Sequence, residues 1–65
     1  MITVNGQSMQ FDEDIHLTFL MEQLGYSNKP CAVEVNQTLV PHHKRAIHVL
    51  SSGDTIEIVT LVGGG

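Results

Sequence analysis

Sixty-five residues with a hydrophobic content of 42% make one small domain built around one core. The formal charge of −4, with Lys29, Lys44 and Arg45 as the complete set of lysines and arginines, excludes nucleic acid and anionic membrane surfaces as ligands, since both demand a basic face. A single cysteine excludes an internal disulfide, no Cys/His spacing fits a zinc site, and no stretch approaches the ~20 apolar residues that span a bilayer.

In chain order, Ile2 and Val4 alternate with polar residues, Asn5-Gly6 follows, and Met9 and Phe11 alternate again. Asn-Gly between alternating apolar positions signals a hairpin, because a type I′ turn needs positive φ at both central residues. Strands are therefore predicted at 2–5 and 7–11. The opening residues carry no basic run and no long apolar stretch, so they do not read as a signal peptide. Together with the lone, unstapled cysteine this points to the cytoplasm.

Leu17, Leu20, Met21 and Leu24 fall at i, i+3, i+4 and i+7, one face of a helix predicted over 16–24. The acidic cluster Asp12-Glu13-Asp14 precedes it, where the helix dipole favours negative charge, and either Asp14 or His16 can serve as the N-cap. Gly25 stands where a left-handed C-cap belongs, and Pro30 stops any continuation. Phe19 lies off the apolar stripe and is either partly exposed or covered by a loop.

Ala32, Val33 and Val35 form a third strand ending at the turn-like Asn36-Gln37, and Leu39-Val40 a short one stopped by Pro41. Residues 42–45 are polar, a loop or a single helical turn. Ile47, Val49 and Leu50 alternate in part, and Ser51-Ser52-Gly53-Asp54 is a turn. Residues 55–60 are rich in β-branched side chains and give the strongest strand. The chain then ends in Gly63-Gly64-Gly65.

A helix that follows a hairpin must cover one face of the sheet, since neither layer can bury its apolar side alone. The last strand is the most apolar, which suits a central position, and beside the first strand it would run parallel. The expected fold is α+β of the β-grasp type: a mixed sheet with one main helix on one face, as a domain over 1–62 with a flexible glycine tail at 63–65. Leu17, Leu20, Leu24, Ile56 and Ile58 are expected in the core, with Glu57 and Val59 exposed.

The tail carries the functional signal. Three glycines cannot pack a core, and they form an arm without side chains, able to thread a narrow channel in a partner. Fully extended, three residues reach roughly 10 Å. The remaining candidates read more plainly. Cys31 has no neighbouring cation in sequence except Lys29 to lower its pKa, and reads as a small buried hydrophobe. His42, His43 and His48 lack the carboxylate that would complete a metal set, and residues 42–45 read as a solvated loop that can also dock a partner. Val59 and Leu61 alternate with the isoleucines and form a candidate docking patch beside the tail, together with Glu57 and Val62; the alternative is ordinary strand composition.

Several segments make the chain resemble the ThiS family, the sulfur carriers of thiazole synthesis in thiamine biosynthesis. They are the hairpin of residues 1–11, Leu20-Met21-Glu22-Gln23-Leu24, Val35-Asn36-Gln37 followed by Val40-Pro41, Gly53-Asp54 before the last strand, and the ending Val62-Gly63-Gly64-Gly65. His16 departs from that pattern, where a small hydroxyl cap is more usual. The resemblance implies a ubiquitin-like protein with no catalytic residues and no bound cofactor or metal. A partner adenylyltransferase would use ATP to activate the Gly65 carboxylate. Sulfur, ultimately from a cysteine desulfurase, would convert it to a thiocarboxylate, and thiazole synthase would take the sulfur. Gly65 would carry the sulfur, and Gly63 and Gly64 would thread into the partner. Three alternatives share the fold: the small subunit of molybdopterin synthase (usually a longer chain), a ubiquitin-like modifier joined to lysines, and an interaction module with an inert tail.

Overall fold

The computed structural model describes residues 1–12 and 14–61. Val62, Gly63, Gly64 and Gly65, on which the tail expectations fall, lie outside the described residues, as does Glu13. Strands β1 (Ile2–Val4), β2 (Gln7–Met9), β3 (Cys31–Val35), β4 (Thr38–Leu39) and β5 (Thr55–Thr60) form one sheet in the order β2-β1-β5-β3-β4, with helix α1 (Leu17–Gln23) between β2 and β3 in sequence. The last strand is central. It runs parallel to β1, pairing Thr3 with Thr55 and Val4 with Ile56, and antiparallel to β3, pairing Val33 with Ile58 and Val35 with Ile56. This is the β-grasp arrangement expected from the element order.

The hairpin turns where Asn5-Gly6 predicts, with φ of 49° and 82°. Positive φ at both centres is what a type I′ turn demands, and glycine meets it without a Cβ penalty. Both strands are shorter than the predicted 2–5 and 7–11. Asn5 leaves the strand to enter the turn, yet its backbone N–H still donates to Ile56 O at 2.9 Å and its side-chain Oδ1 accepts from Ile58 N–H at 2.8 Å. The side chain thus extends the ladder past the end of β1. Phe11 lies beyond β2 but packs against the core.

Helix α1 is one residue shorter at each end than predicted. His16 is the N-cap and makes no side-chain cap bond, while Asp14 occupies a turn with φ of 66°. The first helical N–H groups are instead satisfied from another part of the chain: Leu17 N–H donates to His48 O at 2.8 Å and Thr18 N–H to Arg45 O at 3.2 Å. At the C-terminus, Gly25 (φ 87°) donates to Glu22 O and Tyr26 to Met21 O, the two reverse bonds of a Schellman motif. Leu17, Leu20 and Met21 are buried; Leu24, expected with them, is half-buried at the C-cap, still in αR geometry and packed against the core. Phe19 is 46% exposed, so no loop covers it fully.

Strand β4 covers Thr38–Leu39, not Leu39-Val40. Val40 is buried just past it, its N–H donating to Val33 O at 2.9 Å. Residues 42–44 form one turn of 3₁₀ helix, the second of the two forms expected there. The core joins Leu17, Leu20 and Met21 from the helix to Ile2, Val4, Val33, Val35, Ile56 and Ile58 from the sheet, closed at the ends by Val40 and Leu50.

Candidate functional site

Two surfaces meet at the end of β5. The first is the sheet face away from the helix. From Thr55 to Val59 burial alternates, so Ile56 and Ile58 point into the core and Thr55, Glu57 and Val59 point out; Thr60, at the end of the strand, is exposed as well. Register places Glu57 opposite Glu34 and Val59 opposite Ala32, with Leu39 paired to Glu34 on the far side. Val59, Leu39 and Leu61 are exposed by 59%, 60% and 55%. Of the candidate docking residues, Glu57, Val59 and Leu61 are therefore all on the surface; Val62 lies outside the described residues.

Leu61 continues the chain past β5 and is tied down by one backbone bond, its N–H donating to Pro30 O at 2.8 Å. Pro30 precedes β3, so the tail departs from a point anchored to the neighbouring strand. Gly63, Gly64 and Gly65, the predicted arm, continue from here outside the described residues.

The second surface is a groove of about 790 Å³ between the C-terminal half of α1, the loop before β3 and the 3₁₀ turn, with Leu61 at its margin. Arg45 lines it and is only 9% exposed. Its Nη2 donates to Cys31 O at 2.7 Å, and its Nη1 lies 3.8 Å from Cys31 Sγ and 3.4 Å from His42 Nδ1. Its Nε is buried and has no hydrogen-bond partner among the described residues. Sequence reading placed Arg45 in a solvated loop and gave Cys31 no cation but Lys29. Both readings are corrected here: the 3₁₀ turn brings residue 45 back over the start of β3, so the guanidinium packs on Cys31. No local pattern announces a contact that depends on two separated segments folding together. Cys31 itself opens β3 and is half-buried, packed against the core, more exposed than the buried hydrophobe expected.

Lys29 lies on the groove's rim, its Nζ 5.8 Å from the Tyr26 ring centroid, within cation–π range. His42 and His43 line the groove as well. Among the described residues no three His, Cys, Asp or Glu side chains stand close enough to hold a metal ion. Among them, too, no helix is long and apolar enough to cross a membrane.

Comparison with known proteins places these surfaces in context. The sequence profile of the ThiS family matches residues 2–65. The Escherichia coli K12 protein described as sulfur carrier protein ThiS is 33% identical over 64 residues, which cover 98% of this chain and 97% of that one. A Paramagnetospirillum magneticum protein described as thiazole synthase is also 33% identical over 64 residues, but the match spans only 20% of its length. Among solved structures, a thiamine biosynthesis protein (ThiS) from Geobacter metallireducens superposes with a TM-score of 0.80 at 25% identity, covering 98% of this chain and 97% of that one.

Proposed function

The chain belongs to the ThiS family, and from that membership we propose that it is a sulfur carrier of thiamine biosynthesis that works through Gly65. The supporting observation is that the similarity runs to residue 65 and so takes in all three glycines of the tail. The protein supplies no catalytic group of its own. A partner adenylyltransferase lets a Gly65 carboxylate oxygen attack the α-phosphorus of ATP, and pyrophosphate leaves. The carboxylate, a poor electrophile, becomes an acyl-adenylate with AMP as a good leaving group. A sulfur nucleophile, fed ultimately by a cysteine desulfurase, attacks the acyl carbon. AMP departs, and where the nucleophile is a persulfide a thiol then cleaves the resulting acyl disulfide, forming a disulfide with the sulfur donor and leaving the thiocarboxylate.

Glycine suits each step because no side chain blocks the carbonyl, and Gly63 and Gly64 let the arm enter a narrow partner site. The sulfur stays tethered to a folded carrier instead of diffusing away. The similarity to a protein described as thiazole synthase supports thiazole synthase as the receiver, ahead of molybdopterin synthase. Glu57, Val59, Leu61 and Val62 are proposed to dock the partner beside the tail.

The test is intact-mass analysis after incubation with ATP, a cognate adenylyltransferase and a sulfur source. The expected product has one oxygen replaced by sulfur, located to the C-terminal peptide. Deleting Gly65, or adding Ala after it, is expected to abolish that change and leave thermal unfolding where it was, since the core lies elsewhere. Sulfur acquisition at the unaltered rate by either variant, or none by the natural chain with competent partners, refutes the carrier reading.

A further inference from the structure

We infer that the Arg45 groove is a docking site for an acidic side chain, Asp or Glu, presented between apolar residues on the surface of a partner protein. The inference goes beyond the carrier reading and does not depend on it. It begins with charge. The chain has seven Asp and Glu against three Lys and Arg, yet two of those three, Lys29 and Arg45, line this one groove, with Glu22 the single carboxylate among the described lining residues. Arg45 is nine-tenths buried, and its hydrogen-bond partners among the described residues are a backbone carbonyl, a thiol sulfur and an imidazole nitrogen, none of them a carboxylate. Its buried Nε–H has no acceptor among the described residues. A buried cation normally finds an anion, because desolvation is otherwise uncompensated; among the described residues none meets Arg45, and a carboxylate entering the groove would answer its charge across the guanidinium as a whole, since the Nε itself is closed off.

The size and walls of the groove decide the class of anion. Its volume of about 790 Å³ far exceeds that of an inorganic ion, and Met21, Tyr26, Pro30 and Leu61 give it apolar walls. The fitting occupant carries apolar flanks with its charge. Glu22 on the lining penalises a doubly charged phosphate more than a singly charged carboxylate. A glutamate between two leucine-like residues satisfies both conditions.

The test uses the ¹⁵N-labelled full chain at fixed ionic strength, titrated separately with acetyl-Leu-Glu-Leu-amide, its Gln counterpart, sodium acetate and AMP. The reporters are the Arg45 Nε–H resonance and the backbone amides of Lys29 and Cys31. The Glu peptide is expected to shift all three saturably, at a half-saturation about tenfold below that of acetate, a difference of about 1.4 kcal/mol. The Gln peptide is expected to give no saturable shift at the Nε–H. Lys29→Gln, a change at an exposed position, is expected to weaken the Glu peptide about threefold with the fold unchanged, which keeps the test decisive even if Arg45→Gln fails to fold. Equal shifts from the Gln peptide would reduce the groove to an apolar surface and overturn the inference. So would tighter binding of AMP than of the Glu peptide, which would mark a small-molecule phosphate site, or no shift at about 50 mM Glu peptide, an affinity weaker than any docking contact of use.

Discussion

The two faces of the sheet are made by the same residues in alternation, yet they obey different rules. On the helix side Ile2, Val4, Val33, Val35, Ile56 and Ile58 are all buried. One position along, Glu34, Thr55, Glu57 and Val59 are exposed and Thr3 half-buried. Burial constrains the first set, where volume and shape must fit the facing Leu17, Leu20 and Met21. Folding does not constrain the second set, so Leu39 and Val59 standing open there, with Leu61 past the end of β5, are a property of the surface and not of the core.

The comparison is put under greatest strain by substituting neighbours. Ile58→Ala empties a buried site, and the expected loss is roughly 2–5 kcal/mol in denaturant unfolding, while Glu57→Ala one residue away should change almost nothing. Equal losses would refute the register. A smaller effect, about 1–2 kcal/mol, is expected from Asn36→Ala. The Asn36 side chain donates to Asp54 Oδ1 and accepts from Thr55 N–H, both at 2.9 Å, which ties the open end of β3 to the start of β5. Chemical denaturation that leaves this variant at the natural midpoint would show those bonds to be idle.

Next to it, Gln37 sits at φ 69° without the local side-chain bonds that suit Asn to such a conformation. Gln37→Gly is expected to stabilise by about 0.5–1 kcal/mol, read as a rise in melting temperature. The smallest expected effect on stability is that of Val59→Asp, within about 0.5 kcal/mol of zero. Its expected consequence is functional, a slower adenylation by the partner enzyme. Unchanged stability together with unchanged adenylation would remove Val59 from the docking patch.

Much of this architecture was legible because it rests on short-range physics. Asn5-Gly6 announces its turn, the spacing of Leu17, Leu20 and Met21 announces a helix face, and the β-branched run of 55–60 announces a strand that belongs in the middle. Leu24 keeps its place against the core but is only half-buried, because it is the C-cap between exposed Gln23 and Gly25. His16 caps without a side-chain bond because His48 and Arg45 carbonyls, far along the chain, take the first N–H groups. The Arg45–Cys31 contact was illegible for the same reason: fourteen positions separate the two residues, and only the return through β4 and the 3₁₀ turn brings them together. The glycine tail, by contrast, was read from composition and resemblance, and its role rests on family membership.

Placing the last strand at the centre has a consequence for how the protein comes into being. Synthesis runs from the N-terminal side, so β1 with its hairpin partner and β3 with its own emerge before the strand that joins them. Until 55–60 arrive, both hairpins expose an unpaired edge, and the helix has only half a sheet to cover. The closing pair, Thr3 with Thr55, spans almost the entire chain, a topology that makes folding slow relative to a helical domain of this size and leaves it little scope to begin early. A chain cut short before residue 60 is therefore left as two hairpins with nothing between them.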